Sequence, residues 1–342
     1  MQEKMLPCAW GGPVASGRLK TCAEDFQVTE IPACEPEGEG EHAWLRVRKT
    51  GLDTEDVARR IARCAAVPRS RVDYAGMKDR QAVTEQWFSV HLPGRPDPDW
   101  SSLEDERIQV LGVARHRRKL RRGALHGNRF RIRLRGVQAD RDALEARLQR
   151  MAQGGMPNYF GPQRFGRHGA NLPAARRWFE AGRPRIDRHR RGLYLSTARA
   201  LLFNQVLGRR VGDGSWDRAL AGEVLHLDGT RSRFRIDEVD EAIVTRLASL
   251  DVHPGGPLWG RGEPEVQGAC AALEAETLVG FALWRQGLER AGLRRDRRPL
   301  RVRVGELWHA WEGGDLVLAF RLPAGSYATS LLRELGDFSV NA

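Results

Sequence analysis

No uninterrupted apolar run in this 342-residue chain approaches the ~20 residues that cross a bilayer, and no basic amphipathic helix stands out, so contact with a membrane is not expected. Cysteine is scarce and scattered. Cys8, Cys22, Cys34, Cys64 and Cys270 are odd in number and form no Cys-x-x-Cys pair, which argues against a zinc site or a disulfide framework. The nine histidines show no His-Glu-x-x-His or His-x-Glu pattern, so zinc hydrolase or deaminase chemistry has no support and no metal is expected. Met1 to Gly17 lacks the basic start and long apolar core of a signal peptide, and the cytoplasm is the expected compartment. Lysine is nearly missing too: Lys4, Lys20, Lys49, Lys78 and Lys119 are the only five among 56 basic residues, and the rest are arginine. A retained lysine in such a chain is a candidate for work a guanidinium does not do, because an ammonium is compact and its pKa moves readily.

What is present points to a polyanion. The formal charge is +12 at pH 7, and Lys and Arg that neutralise phosphates gain affinity by releasing counterions. Nucleic acid is the leading candidate. The length favours two domains over one, and a hydrophobic fraction of 41% is enough to build cores.

The chain alternates element types as an α+β protein does. Phe26 to Ile31 alternates as a strand, and an acidic, glycine-rich turn follows at Glu35 to Glu41. Ala43, Leu45 and Val47 then alternate with Trp44, Arg46 and Arg48, a half-exposed strand. Asp53 or Thr54 is placed to cap a helix with Val57, Ile61 and Cys64 on one face. Leu144, Leu148 and Met151 mark a second helix that ends at Gly154-Gly155, a natural boundary. The middle of the chain reads mostly helical, with Ser196 to Val211 and Glu241 to Leu250 its best helices. Pro254 to Gly260 reads as a long turn. Leu300 to Val304 and Leu316 to Leu322 read as two strands joined through Glu312-Gly313-Gly314-Asp315. Strands at both ends around a helical middle suggest an inserted domain.

Gly127 to Gly136 is the clearest strand. Phe130, Ile132 and Leu134 point one way, and Arg129, Arg131, Arg133 and Arg135 point the other. Just upstream, Arg115 to Arg122, with Lys119, adds cations without an acid between them. A basic run is often only a solvated face, but its adjacency to a basic strand favours contact with an RNA backbone. Pro157 to Arg167, with Arg164, mixes glycine, aromatics and arginine in a way that suits stacking and phosphate contact.

The most informative stretch runs from Tyr74 to Phe88. Asp79 sits between Lys78 and Arg80 on a glycine turn that leads into a strand. Flanking cations favour the charged form that a carboxylate nucleophile requires. On its own such a turn is usually a solvated surface feature. Gly76-Met-Lys-Asp-Arg80, followed by Ala82-x-Thr-x-Gln86, resembles the catalytic motif of the TruD family of tRNA pseudouridine synthases. Further segments resemble that family in the same order: Gly17 to Ile31, Arg115 to Gly136 with its Gly127-Asn128-Arg129-Phe130, Asn158 to Gly166, Leu195 to Asn204, Pro257 to Gly260 and Leu322 to Thr329.

The resemblance implies a fold and a reaction. The fold is an α+β pseudouridine synthase domain with a mixed or antiparallel sheet built from both chain ends, residues 1–155 and 303–342, and an inserted α/β TRUD domain at 156–302. The reaction is isomerisation of uridine in tRNA, usually at position 13, without cofactor or metal; a monomer is expected. It casts Asp79 as the catalytic aspartate, Lys20 as its partner, Phe130 as the ring that stacks on the target base, Asn128 as the polar group beside it and Phe26 as a further aromatic of the site. Arg129, Arg131, Arg133, Lys119, Arg164 and Lys78 are the expected RNA contacts. Whether Asp79 attacks C1′ or C6, or assists elimination, is open at this stage. Asp53-Thr54 stands where Asn-Thr is expected, which leaves the role of that turn undetermined. An RNA methyltransferase fits poorly, since Gly38 to Ala43 is acidic and leads into a strand rather than a helix. A non-catalytic RNA-binding protein or chaperone is the alternative, and it would make Asp79 dispensable.

Overall fold

The computed structural model describes residues 6–340, so residues 1–5 and 341–342 of the expected domains lie outside it. The chain packs into two compact units. One comprises Ala15–Ala139, Gly305–Gly325 and the last segment from Asp337; the other comprises residues 6–14, Asp140–Val304 and Ser326–Gly336. Among the described residues no helix is long and apolar enough to cross a membrane.

The first unit is built on a ten-stranded sheet. Its N-terminal part supplies β1 (Ala15–Leu19), β2 (Phe26–Pro32), β3 (His42–Thr50), β4 (Val72–Tyr74), β5 (Val83–His91), β6 (Ile108–His116) and β7 (Leu125–Ala139). The late hairpin Gly305–Glu312 and Asp315–Pro323 joins the edge of β7, giving the order hairpin, β7, β2, β5, β3, β6, with β1 on β7 and β4 on β5. β2 and β5 run parallel while the other β2, β3 and β7 pairings are antiparallel, so the sheet is mixed.

Alternation on β7 holds as read. Phe130, Ile132 and Leu134 are buried and the arginines between them face out, with Phe130 opposite Val28 on one side and Phe320 on the other. Gly127 has a specific reason to be glycine: a Cβ there would lie 2.2 Å from the Leu322 carbonyl oxygen. Helix α1 (Thr54–Cys64) buries Val57, Ala58 and Ile61 against Leu45, Val47, Phe88 and Val90. Each such large aliphatic side chain removed from water stabilises by roughly 1.5–3 kcal/mol.

The second unit carries helices including Asn171–Glu180, Arg188–Gly212, Gly268–Thr277 and Ala282–Arg290, packed through Trp178, Phe179, Leu202, Trp284 and Leu288. A four-stranded sheet runs in the order Arg233–Arg235, Val224–Leu227, Val252–Leu258, Asp296–Pro299.

Two expectations are corrected. Pro254 to Leu258 is not a turn but most of a buried inner strand, Val252–Leu258. The two glycines serve packing there: a Cβ on Gly256 would meet Leu300 and Phe203, and one on Gly255 would meet the Val224 carbonyl and the His226 ring. The strand that pairs with Asp315–Pro323 is Gly305–Glu312 rather than Leu300–Val304. The compact units part at 14/15, 139/140, 304/305, 325/326 and 336/337. The helix Arg141–Gly154 packs with the second unit because its buried Arg147 donates to the carbonyls of Gly11, Gly12 and Glu334 there.

Candidate active site

Asp79 lies in the irregular segment between β4 and β5, with 29% of its side chain exposed. Its carboxylate is fully engaged. Oδ2 is ion-paired with the Lys20 ammonium, and Oδ1 accepts from the Gln81 amide at 3.0 Å. Lys20 follows β1 directly and has φ of 57°, a left-handed conformation that costs an L residue roughly 1–2 kcal/mol. That backbone turn aims its side chain inward, where the ammonium also stands 4.3 Å from the centre of the Phe26 ring. Phe26 meets Phe130 edge-on at 6.2 Å, and Phe130 stacks on Phe320 at 5.2 Å. Lys20, Phe26, Asp79 and Phe130 are therefore linked through Lys20 and the ring contacts within one unit.

The loop under Asp79 is clamped from several strands. The Lys49 ammonium, fully buried on β3, donates to the Asp79 carbonyl at 2.9 Å and the Leu52 carbonyl at 2.7 Å. Thr54 accepts the Lys78 amide N–H at 2.9 Å and donates to Gln86, whose amide in turn holds the Gly76 carbonyl. Burial pushes the Lys49 ammonium down to about 8, against the pull of the Asp79 and Asp53 carboxylates. The Asp53-Thr54 turn thereby acquires a role. Asp53 is the N-cap residue of α1 without capping through its side chain, and the Thr54 hydroxyl holds the loop that carries Asp79.

A match to the family model described as tRNA pseudouridine synthase D (TruD) covers residues 5–173 and 174–335. The chain belongs to the TruD family. It is 52% identical over 334 residues to the tRNA pseudouridine synthase D of Methylococcus capsulatus, covering 97% of this chain and 94% of that protein. To the protein of the same name from Nitrosococcus oceani it is 50% identical, covering 96% and 93%. The fold is similar to the crystal structure of a putative tRNA pseudouridine synthase D from Methanosarcina mazei, with a TM-score of 0.72 at 22% identity over 96% of this chain and 95% of that one.

The remaining expected residues divide sharply. Lys78 does not face Asp79 or solvent: its ammonium is buried between Glu30, at 2.7 Å, and the Asn128 side-chain oxygen, at 2.8 Å. In this structure it is an internal strut, with Asn128 as one of its acceptors. Arg80 points away toward Asp53, 4.0 Å off, so the cation paired with the Asp79 carboxylate is Lys20 rather than either sequence neighbour. Arg129, Arg131 and Arg133 lie on the outer face as expected, but the late hairpin brings acids to them: Arg129 meets Glu306, Arg131 meets Glu312, and Arg133 meets both Glu312 and Asp315. The Gly136 amide, and with it Arg133 and Arg135, hold the Asp315 carboxyl below the usual range. The row of free guanidinium groups is thus an acid-paired ladder. Lys119 is exposed beside Asp73, and Arg164 belongs to the second unit, bonded to Tyr327. Sequence reasoning passed over Glu30 and named Lys49 only as one of the five lysines. Both carried a signal: Glu30 shares the inward phase of Phe26 and Val28 on β2, and Lys49 that of Leu45 and Val47 on β3. A charge in phase with the apolar face is buried and must be paired.

Proposed function

We propose that this chain isomerises uridine to pseudouridine in tRNA, at position 13, with Asp79 as the catalytic carboxylate and without a cofactor. The isomerase class and the tRNA substrate rest on family membership and on relatives at about half identity. The observation that carries the chemical assignment is the Asp79–Lys20 ion pair on an accessible turn beside Phe26 and Phe130.

Pseudouridine formation breaks the bond from C1′ to N1, turns the uracil and joins C5 to C1′. The product is an isomer, so no electron is gained or lost; the C5 proton leaves to solvent and N1 gains one. The base must leave its stack, at a cost of a few kcal/mol, and be retained while detached. Phe26 and Phe130 are buried beneath this turn, so they form the apolar floor under Asp79 and Lys20 rather than an open stacking face, and a detached base that reached them would gain about 1–3 kcal/mol. Lys20 orients the carboxylate. Lys49 and Thr54 fix the loop that carries it, so that little reorganisation precedes attack. Once the new bond has formed, the same carboxylate is placed to take the C5 proton. The unit holding the sheet is then the catalytic domain and the residues around 156–302 the inserted TRUD domain.

Tritium release from tRNA labelled at C5 of uridine, without added cofactor, tests this reading. Wild type is expected to release tritium, and Asp79→Asn to fold, bind tRNA and lose release by about a thousandfold or more, some 4 kcal/mol of barrier. Release by Asp79→Asn at the wild-type rate would remove Asp79 from the reaction. Binding without release by wild type would favour an RNA-binding protein that does no chemistry.

A further inference from the structure

Between α1 and the turns beside it, the sheet unit holds an open cleft of about 690 Å³. Its rim is guanidinium: Arg59, Arg60 and Arg63 from α1, joined by Arg69, Arg80 and Arg107. Leu52, Ala62 and Val67 give it an apolar floor, and Asp56 is the one acid in its lining. Counting every acid that pairs with these arginines, Arg59 meets Asp56, Arg60 meets Asp105, Arg69 meets Glu55 and Arg80 stands 4.0 Å from Asp53. Six cations against four acids leave two uncompensated. They are Arg63, exposed on the helix with a guanidinium that has no ion pair or hydrogen bond among the described residues, and Arg107. The Arg107 guanidinium is held by the carbonyls of Gly51, at 2.6 Å, and Thr50, at 3.4 Å, so its position is fixed while its charge is not neutralised by an acid.

This differs from the outer face of β7, where Arg129, Arg131 and Arg133 all meet acids. A concave, guanidinium-rimmed surface with unpaired charge suits phosphate oxygens, which Arg binds through a planar fork, while an apolar floor accommodates a ribose or a base face. The cleft is also continuous in sequence with the reacting centre, since Arg80 on its rim directly follows Asp79. A uridine extruded toward Asp79 leaves its neighbouring nucleotides on the protein surface, and their phosphates must be carried away from the site along some positive path.

We propose that the α1 cleft seats backbone phosphates of the tRNA strand adjoining the target uridine, with Arg63 and Arg107 as its unpaired anchors. This rests on the synthase reading above.

The test measures tRNA binding across a salt series for wild type, Arg63→Glu, Arg63→Lys and Arg290→Glu, the last being an exposed arginine of the second unit that carries the same change of charge. Thermal unfolding of each checks the fold. Arg63→Glu is expected to weaken Kd about tenfold near 100 mM salt and to flatten the log–log salt slope by about 1, the loss of roughly one phosphate contact. The loss should appear in KM more than in kcat. Arg63→Lys is expected to stay within about twofold of wild type, since the point charge is kept, and Arg290→Glu to bind as wild type does. Equal Kd and slope for Arg63→Glu and wild type would overturn the cleft assignment, and so would equal weakening by Arg63→Glu and Arg290→Glu, which would mean only a general effect of net charge. Failure of the synthase reading shows separately, as absence of tritium release by wild type.

Discussion

The lysines around Asp79 and the arginines of β7 are all cations on or beside one sheet, yet they are used in opposite ways. Lys20, Lys49 and Lys78 are three of only five lysines in the chain. Each buries its ammonium and commits it to named acceptors: the Asp79 carboxylate, the carbonyls of Asp79 and Leu52, and Glu30 with Asn128. Arg129, Arg131 and Arg133 stand on the outer face, exchange partners along a ladder of Glu306, Glu312 and Asp315, and remain hydrated. A compact ammonium fits a small internal cage; a fork with five donors suits a surface where partners are shared. In the sheet unit these three lysines take the tight internal sites, whereas Lys119 is exposed and the second unit buries arginines such as Arg147 and Arg210 instead.

The largest expected effect separates the two classes by stability. Lys78→Met leaves the Glu30 carboxylate buried without its cation, which should destabilise the fold by about 3–5 kcal/mol. Arg129→Met, which removes an exposed pair to Glu306, should cost less than about 1 kcal/mol. Pairing Lys78→Met with Glu30→Leu should recover much of the loss, because an apolar replacement of both charges also removes the desolvation penalty. Urea unfolding of the four proteins measures this. Similar losses for Lys78→Met and Arg129→Met would break the contrast between buried strut and surface ladder.

Much of this site was legible from sequence, and what escaped did so for a physical reason. The alternation on β7, the motif around Asp79 and the pairing of Lys20 with that aspartate came from local pattern and family resemblance. The true partners of Lys78 and Arg80 did not, because sequence adjacency to Asp79 suggests a contact, whereas in this irregular segment each neighbour is claimed by a carboxylate elsewhere in the fold. Lys78 instead reaches Glu30 and Asn128, opposed across the β2–β7 register, and register is long-range information. The acid ladder was hidden for the same cause, since its carboxylates arrive about 180 residues later in the chain. Pro254 to Leu258 misled in the other direction. Its composition is that of a turn, and only the neighbours Phe203, His226 and Leu300 show that its glycines make room inside a sheet.

A sharper version of the lysine side of the comparison uses pH. Burial lowers Lys49 to about 8 from an ordinary value of 10.5, so between those values the unfolded chain binds more protons than the folded one. Stability from this residue must therefore rise as pH climbs from about 8 toward 10.5, the reverse of a lysine stabilised by a salt bridge. Relative to Lys49→Met, wild type should gain on the order of 2 kcal/mol between pH 8 and 10. Chemical denaturation of both proteins at three pH values reads the difference directly. Parallel stability curves would mean that the Lys49 ammonium is as well solvated in the fold as outside it, and the tight-cage account of the lysines would fail there.

The smallest effect probes the arginine side. Glu312 is shared by Arg131 and Arg133, and Glu312→Gln removes its charge at nearly constant shape. If the outer face of β7 touches tRNA phosphates, freeing Arg131 and leaving Arg133 with Asp315 alone should tighten tRNA binding about two- to threefold at ~100 mM salt and steepen the salt dependence. Unchanged affinity and slope would make the ladder a purely structural seam between β7 and the late hairpin. Positive charge on this sheet would then divide by partner: lysine inside for the loop, paired arginine outside for the hairpin, and the unpaired arginines of the α1 cleft for the nucleic acid.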